Sequence, residues 1–420
     1  MRILLLNQTF YPDRSATSQN LTDLAVYLSS RGYEVTAVTG RRDYEDRAKI
    51  YRAREKYKGV TIHRVGSTGF GKRSFAHRFI DGVTFEIALL WKLLTLPKQD
   101  VVISLTSPPL IGLVGHFFSM LWNARSVQWL MDINPDIAIA VGYLKRNSLV
   151  SRILTSLLRF TLRRADDVVV LDRWMKSRAE QHGAKPENIH VIPPWPAHNF
   201  TLWGEGLPPK ENSFRTESGL DGKFVLLYSG NHSIVHPLDT ILHAALFMRD
   251  DPGVVFAFIG GGLRVEEVSA FKERHELGNI VQLPHQPRER LHETLTFADI
   301  HWVVMGNKVT GLVHTSKVYG VLATGRPYIF VGPRDSHVSD LLSSYPYGFQ
   351  VEHSDVDGVL ETIRKARSLN EEQQKKIAAG NLGFIKENYS KDKSLASFEK
   401  AILQQGSESL EPELHKTKVG

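Results

Sequence analysis

Cysteine is absent from all 420 residues. That excludes disulfides and cysteine-ligated metal centres, and it is compatible with a reducing compartment. Long apolar runs are absent as well: nowhere do roughly eighteen apolar residues follow one another, the length a membrane-crossing helix needs. The apolar run at residues 3–6 is too short for a signal peptide and lacks a small-residue cleavage site, so it reads as a buried first strand. No Gly-x-Gly-x-x-Gly follows that strand, and Ser15-Ala16 is a poor substitute, which argues against a dinucleotide-dependent oxidoreductase. No short-period internal repeat is present.

What is there is ordinary for a globular chain, with 42% apolar and 23% charged residues. The length fits two or three domains. Lys and Arg number 52 against 45 Asp and Glu, a net charge of +7. Such an excess favours anionic partners, whether phosphate, nucleic acid or acidic lipid.

Short β-rich runs alternate with helical stretches through the first half. Strands are expected at 3–6, 34–39, 60–64, 101–105, 126–130, 168–171 and 189–192, with a first helix at 20–30 stopped by Gly32. The Pro193-Pro194-Trp195-Pro196 break and the Gly/Pro-rich stretch after it read as an interdomain linker over 201–212. The rhythm restarts with strands at 224–228, 254–259, 280–283, 300–304 and 328–331, and helices at 238–247, 265–276 and 318–324. Strand, helix, strand at this spacing means right-handed crossovers and parallel sheets. The expected fold is therefore α/β, two doubly wound Rossmann-like domains facing across a cleft. The domains span 1–200 and 213–389, a helix at 390–404 packs back on the first, and a disordered tail covers 405–420.

Several loops at strand ends carry chemistry. Residues 8–17 form the first one, with Ser18 as the cap of the following helix in its plain reading. Ser229, Gly230, Asn231 and His232 close the first strand of the second domain, and Gly260, Gly261 and Gly262 close the next, where glycines admit close approach of a nucleotide. Thr315, Ser316 and Lys317 precede the 318–324 helix; a hydroxyl cap and a lysine there suit an anion. Asp132 and Asp136 follow the 126–130 strand and suit hydroxyl positioning or proton handling, with Asp136 the better helix cap. Residues 72–122 are rich in exposed-type apolar and aromatic side chains flanked by Lys72, Arg73 and Arg78, and 149–164 carries Arg152, Arg159, Arg163 and Arg164. That pattern suits the interface of an anionic bilayer.

The chain resembles the retaining nucleotide-sugar glycosyltransferases of the GT-B fold, family 4, and is similar to the bacterial exopolysaccharide and O-antigen branch with its colanic acid and N-acetylfucosamine transferases. The resemblance rests on Arg31-Gly32-Tyr33-Glu34-Val35, Thr106-Ser107-Pro108-Pro109, Ala165-Asp166-Asp167-Val168, Leu227-Tyr228-Ser229-Gly230-Asn231, Gly260-Gly261-Gly262 and Ala298-Asp299. Thr315-Ser316-Lys317 through Gly325-Arg326-Pro327 is the most specific stretch. It implies a sugar moved from a nucleotide-sugar to a lipid-linked saccharide acceptor, for cell-surface polysaccharide, at the inner face of the plasma membrane. No metal, other cofactor or nucleic acid is implied. The implied donor ligands are Ser229, Gly230, Asn231, Gly260, Gly261, Gly262, His285, Lys308, Thr315, Ser316, Lys317 and Val318. Arg14, Ser15, Ala16, Ser107, Asp132 and Asp136 fall on the acceptor side, and Asp132, His236 and Lys317 are the implied catalytic groups. Where many members carry an Arg, a Lys and two Glu, this chain has Asn231, His236, Leu312 and Gly320. Two alternatives follow: a non-catalytic scaffold of a polysaccharide assembly complex, or a sugar-nucleotide epimerase.

Overall fold

The computed structural model describes all residues except 14, 44–45, 47, 71–74, 197–211, 346 and 404–420. The expected linker, apart from residue 212, and the expected tail lie outside the described residues, as do Arg14, Lys72 and Arg73. The described chain forms two compact units, one of residues 1–196, 311–314 and 391–403, the other of 212–310 and 315–390.

The first unit is built on strands β1 (Arg2–Leu6), β2 (Glu34–Gly40), β3 (Arg54–Tyr57), β4 (Val60–Val65), β5 (Val101–Ser104), β6 (Arg125–Trp129), β7 (Asp167–Val170) and β8 (Ile189–Val191). Their order is β3-β4-β2-β1-β5-β6-β7-β8. All neighbours are parallel except β3 and β4. Strands such as β5 and β7 are buried at every position, as a sheet covered on both faces requires. β3 escapes a reading based on apolar runs because its sequence is Arg-Glu-Lys-Tyr. A two-residue turn makes it a hairpin: Lys58 at φ 45° and Gly59 at φ 87° give the left-handed pair such turns need.

The second unit carries β9 (Phe224–Ser229), β10 (Val254–Ile259), β11 (Ile280–Leu283), β12 (Ile300–Val304), β13 (Tyr328–Val331) and β14 (Phe349–Val351), in the order β11-β10-β9-β12-β13-β14 and all parallel. Phe256, Phe258, Trp302 and Ile329 fill its core with the helices Asp239–Phe247 and Val356–Arg367.

Three local expectations need correction. The first helix begins at Ala16, not 20, because Ser15 caps it: its hydroxyl accepts from the Ser18 N–H at 3.3 Å, so Ser18 is the capped residue rather than the cap. Asp136 opens the helix Asp136–Ala140 without capping it; its carboxylate turns to His182 Nε2 at 2.5 Å. Residues 311–314, expected in the second domain, belong to the first unit. The Ile133 N–H donates to the Leu312 carbonyl at 2.9 Å, and Val313 bridges to Asp132.

The helix Lys391–Leu403 also belongs to the first unit. Leu395, Phe398 and Ile402 recur on one face and are buried. Phe398 meets Trp129 edge-on at 4.6 Å between centroids. On its other side Glu399 accepts from the Tyr27 hydroxyl at 2.7 Å and the Tyr33 hydroxyl at 3.1 Å.

Candidate active site

In doubly wound sheets, ligands gather at the carboxyl ends of the strands where the strand order reverses. In the second unit that point lies between β9 and β12. The loops leaving β9 and β10 and the segment after β12 bring most of the expected donor residues there.

Gly230 follows β9 at φ 109°, and a Cβ on it would come within 3.3 Å of Lys317 Cε. Gly260 sits at φ 134°, and a Cβ there would overlap the Gly230 carbonyl oxygen. A Cβ on Gly262 would overlap Asn231 Oδ1, and one on Gly261 would lie 3.3 Å from the exposed His285 ring. Only glycine fits at 260, because both the backbone angle and the Gly230 backbone exclude a side chain there.

Lys317 reaches into this glycine-lined corner. Its ammonium donates to the Tyr228 hydroxyl at 2.5 Å and to the Asn231 carbonyl at 3.1 Å, and lies 3.8 Å from the centroid of the Tyr228 ring. No carboxylate accepts from it among the described residues. Desolvation pushes its pKa down to about 7. The Tyr228 hydroxyl donates in turn to the Asn231 carbonyl at 3.1 Å and lies 3.2 Å from His236 Nδ1. Burial first, and the Lys317 charge second, hold His236 well below the ordinary histidine range. A neighbouring histidine, His232, is buried with Nδ1 3.1 Å from the Gly230 carbonyl and no partner at Nε2. Tyr228 and His232 were given no ligand or catalytic role from sequence, although His232 falls in the expected loop. Both sit within four residues of the glycine loop, which is the signal that could have marked them.

The remaining donor residues divide. Ser229 ends β9, paired with Ile259. Lys308 is exposed on the turn Asn307–Val309, and no contact joins it to the Lys317 corner among the described residues. The expected hydroxyl cap is absent. The helix Lys317–Leu322 has Ser316 at its N-cap with no side-chain bond, while Thr315 is buried with its hydroxyl unpartnered. The N–H groups of Val318 and Tyr319 go to the carbonyls of Thr315 and Ser316, and the Val318 side chain is in the core. Any anion held here therefore rests on the Lys317 ammonium rather than on that helix end.

In the first unit, the acceptor-side residues lie on loops leaving three neighbouring strands, β1, β5 and β6. Gln8 ties the first two: its N–H donates to the Ser107 carbonyl at 2.7 Å, and the Ser107 hydroxyl lies 3.5 Å from its side chain. Ser15 is committed to its cap, and Ala16 is the first helical residue. Asp132 follows β6. Its carboxylate has no hydrogen-bond partner among the described residues, and desolvation raises its pKa to about 7. An acid poised there can exchange a proton with a hydroxyl near neutrality.

Residues 16–195 match the model of the glycosyl transferase 4-like domain. A colanic acid biosynthesis glycosyl transferase by name, WcaI of Escherichia coli (strain K12), is 23% identical over 378 residues, covering 87% of this chain and 92% of the relative. The chain is a glycosyltransferase. The glycosyltransferase WbjE of Pseudomonas aeruginosa is 24% identical over 315 residues, 74% of this chain and 76% of that one. Among solved structures, Anabaena Alr3699/HepE in complex with UDP and glucose superposes with a TM-score of 0.70 at 16% identity, over 96% of this chain and 100% of the other. That likeness shows the fold: this glycosyltransferase is a GT-B protein with two Rossmann-like domains.

No helix among the described residues is long and apolar enough to cross a membrane. The helices Phe75–Leu94, Ile111–Trp122 and Leu149–Arg164 nevertheless pack in succession and leave apolar side chains outside. Ile87, Trp91 and Leu94 on the first, Phe117, Met120 and Leu121 on the second, and Leu149, Val150 and Ile153 on the third are exposed, Trp91 to 70%. Arg152, Arg159, Arg163 and Arg164 are exposed on the third helix, with Arg164 4.3 Å from the Phe160 ring centroid.

Proposed function

We propose that this glycosyltransferase moves a sugar from a nucleoside diphosphate sugar to a lipid-linked glycan during cell-surface polysaccharide assembly, with retention of anomeric configuration. The observation that carries the donor half is the Lys317 ammonium, set without a carboxylate partner against glycine-lined loops at the switch point of the second sheet. The bond from the anomeric carbon to the diphosphate oxygen breaks, and the new bond forms from the acceptor hydroxyl on the same face. Charge builds on the departing diphosphate, and Lys317 neutralises it, so the scheme routes no step through a metal. His285 beside Gly261 offers a surface for the base, and His236 and Asn231 face the phosphates or the sugar. Asp132 takes the proton of the acceptor hydroxyl.

The acceptor half is supported by the relative named for colanic acid biosynthesis and by the three-helix face. Exposed aliphatic and aromatic side chains beside four arginines suit insertion at an anionic bilayer. On this reading the enzyme works at the inner face of the plasma membrane. The relatives favour transfer over the scaffold and the epimerase.

The test is calorimetric titration of the purified chain with UDP, GDP and CMP, followed by transfer from the matching sugar nucleotide to a lipid extract. Binding of one nucleotide, lost in Lys317→Ala, with product only when lipid is added, is the expected result. Product without acceptor would point to the epimerase, and no nucleotide binding at all to the scaffold.

A further inference from the structure

At the amino ends of the strands, opposite to the Lys317 corner, the second unit holds a cavity of about 110 Å³. Phe224 at the start of β9, Asp299 before β12 and Pro327 before β13 line it, so it underlies three adjacent strands of the sheet. Arg326 and Arg367 also line it.

Arg326 is unusual among the described arginines. Burial pulls its pKa down against the opposing pull of the Asp299 charge, and among the described residues no carboxylate is in ion-pair contact with it. One terminal nitrogen, Nη2, donates to the Thr296 carbonyl at 3.4 Å, and Nε is buried with no acceptor. The nearby acid, Asp299, is already spent: its carboxylate accepts from Arg215 Nη2 at 3.0 Å and from the Val225 N–H at 2.8 Å. Arg367 is held by Asp251 through Nη1 at 2.6 Å. Three guanidinium groups thus share two carboxylates, and the one left without an ion pair, Arg326, is largely but not fully buried. A buried charge without a counter-ion is costly, several kcal/mol even after relaxation. An anion entering the cavity would offset that cost by pairing with the guanidinium that lines it.

We propose that this cavity is a binding site for a small free oxyanion, inorganic phosphate being the physiological candidate. The size argues against a nucleotide, since pockets for ligands of that class run from about 300 Å³ upward. The site is separate from the donor corner, which lies at the other ends of the same strands, and it does not depend on the transferase reading. Its occupant braces the starts of β9, β12 and β13, the strands whose far ends carry Tyr228, the 305–317 segment and the neighbouring loop.

The experiment is calorimetric titration of the full chain with inorganic phosphate, with sodium chloride at equal ionic strength as the control. Saturable binding of phosphate alone is expected. Arg367→Gln, whose side chain is half-exposed and tolerates change, should weaken it about tenfold. Lys317→Ala should leave it unchanged. Arg326→Gln should abolish it, and if that variant does not fold, Arg367→Gln still decides. No binding above the chloride control would overturn the proposal. So would loss in Lys317→Ala with retention in Arg367→Gln, which would move the phosphate to the donor corner. Competition by glucose 1-phosphate would overturn the size limit.

Discussion

Lys317 should make nucleotide binding depend on pH, and a Lys317 variant separates its share from that of the histidines nearby. In the empty enzyme its pKa is pushed down to about 7 by desolvation. A bound diphosphate replaces the missing counter-charge and returns the ammonium toward its ordinary value. Above pH 7, binding must therefore take up a proton, and affinity falls about tenfold, or ~1.4 kcal/mol, per pH unit. Half the lysine is already neutral at pH 7, so the loss between pH 7 and 9 is about fiftyfold. A terminal phosphate with a pKa of about 6 has lost its proton below this window and does not contribute. The same shift acts on the empty enzyme with opposite sense. Between about pH 7 and the ordinary lysine value, the unfolded chain holds the extra proton, so this group's contribution to stability rises with pH across that window. The assay is calorimetric titration at half-unit steps in buffers of different ionisation enthalpy, which counts the protons directly. Lys317→Met should bind weakly and with no slope. A flat profile in the native enzyme, or the same slope in the variant, would refute the assignment.

Asp132→Asn should lower turnover at least about tenfold, because the base near pH 7 is gone. It should leave the melting temperature at pH 8 unchanged or higher, because the ionised carboxylate it replaces is desolvated. Glu86 is buried on the helix Phe75–Leu94 with both oxygens unpartnered among the described residues, and burial raises its pKa to about 8. The folded chain holds its proton where the unfolded chain has lost it, so stability falls as pH rises from the ordinary carboxylate range to 8. Glu86→Gln should remove that fall, worth on the order of 4 kcal/mol by denaturant titration at pH 8. Phe398→Ala should destabilise the first unit by about 3–5 kcal/mol, read as a shift of its unfolding transition. Gly260→Ala should reduce soluble yield and abolish nucleotide binding, because its Cβ would overlap the Gly230 carbonyl.

Much of the fold was legible because buried parallel strands advertise themselves as apolar runs. Residues 254–259, 280–283, 300–304 and 328–331 form strands with the expected ends. β3 was not legible, since an edge strand paired on one side carries charged residues. Nor was the attachment of 311–314 to the first unit, which rests on the Ile133–Leu312 backbone hydrogen bond, the Asp132–Val313 bridge and the His314–Asp172 pair at 2.6 Å, contacts between residues far apart in the chain. Within the donor corner, the glycine loops and Lys317 could each be marked from sequence as separate features. Their convergence could not, because it depends on β9 lying beside β12, a neighbour 70 residues away along the chain. The cap was misread for a related reason: a Thr-Ser pair before a helix looks like a cap in sequence, yet Ser316 sits in helical backbone and Thr315 is turned inward.

The replaced positions carry different structural meanings. Leu312 is buried in the segment paired with Asp132 and Ile133, so a glutamate there would place a charge in an apolar setting. Gly320 is the reverse. A Cβ on it meets nothing within 4 Å, and its backbone is helical. Space alone therefore does not require glycine at 320, and glycine in a helix costs about 0.5–1 kcal/mol relative to alanine. That cost, carried without steric need on the helix that bears Lys317, is what a site built to admit a ligand against the bare helix would show. Gly320→Ala should raise the melting temperature of the empty enzyme and weaken nucleotide-sugar binding at the same time. If Gly320→Ala raises stability and leaves binding untouched, the helix face at 320 is not a donor surface.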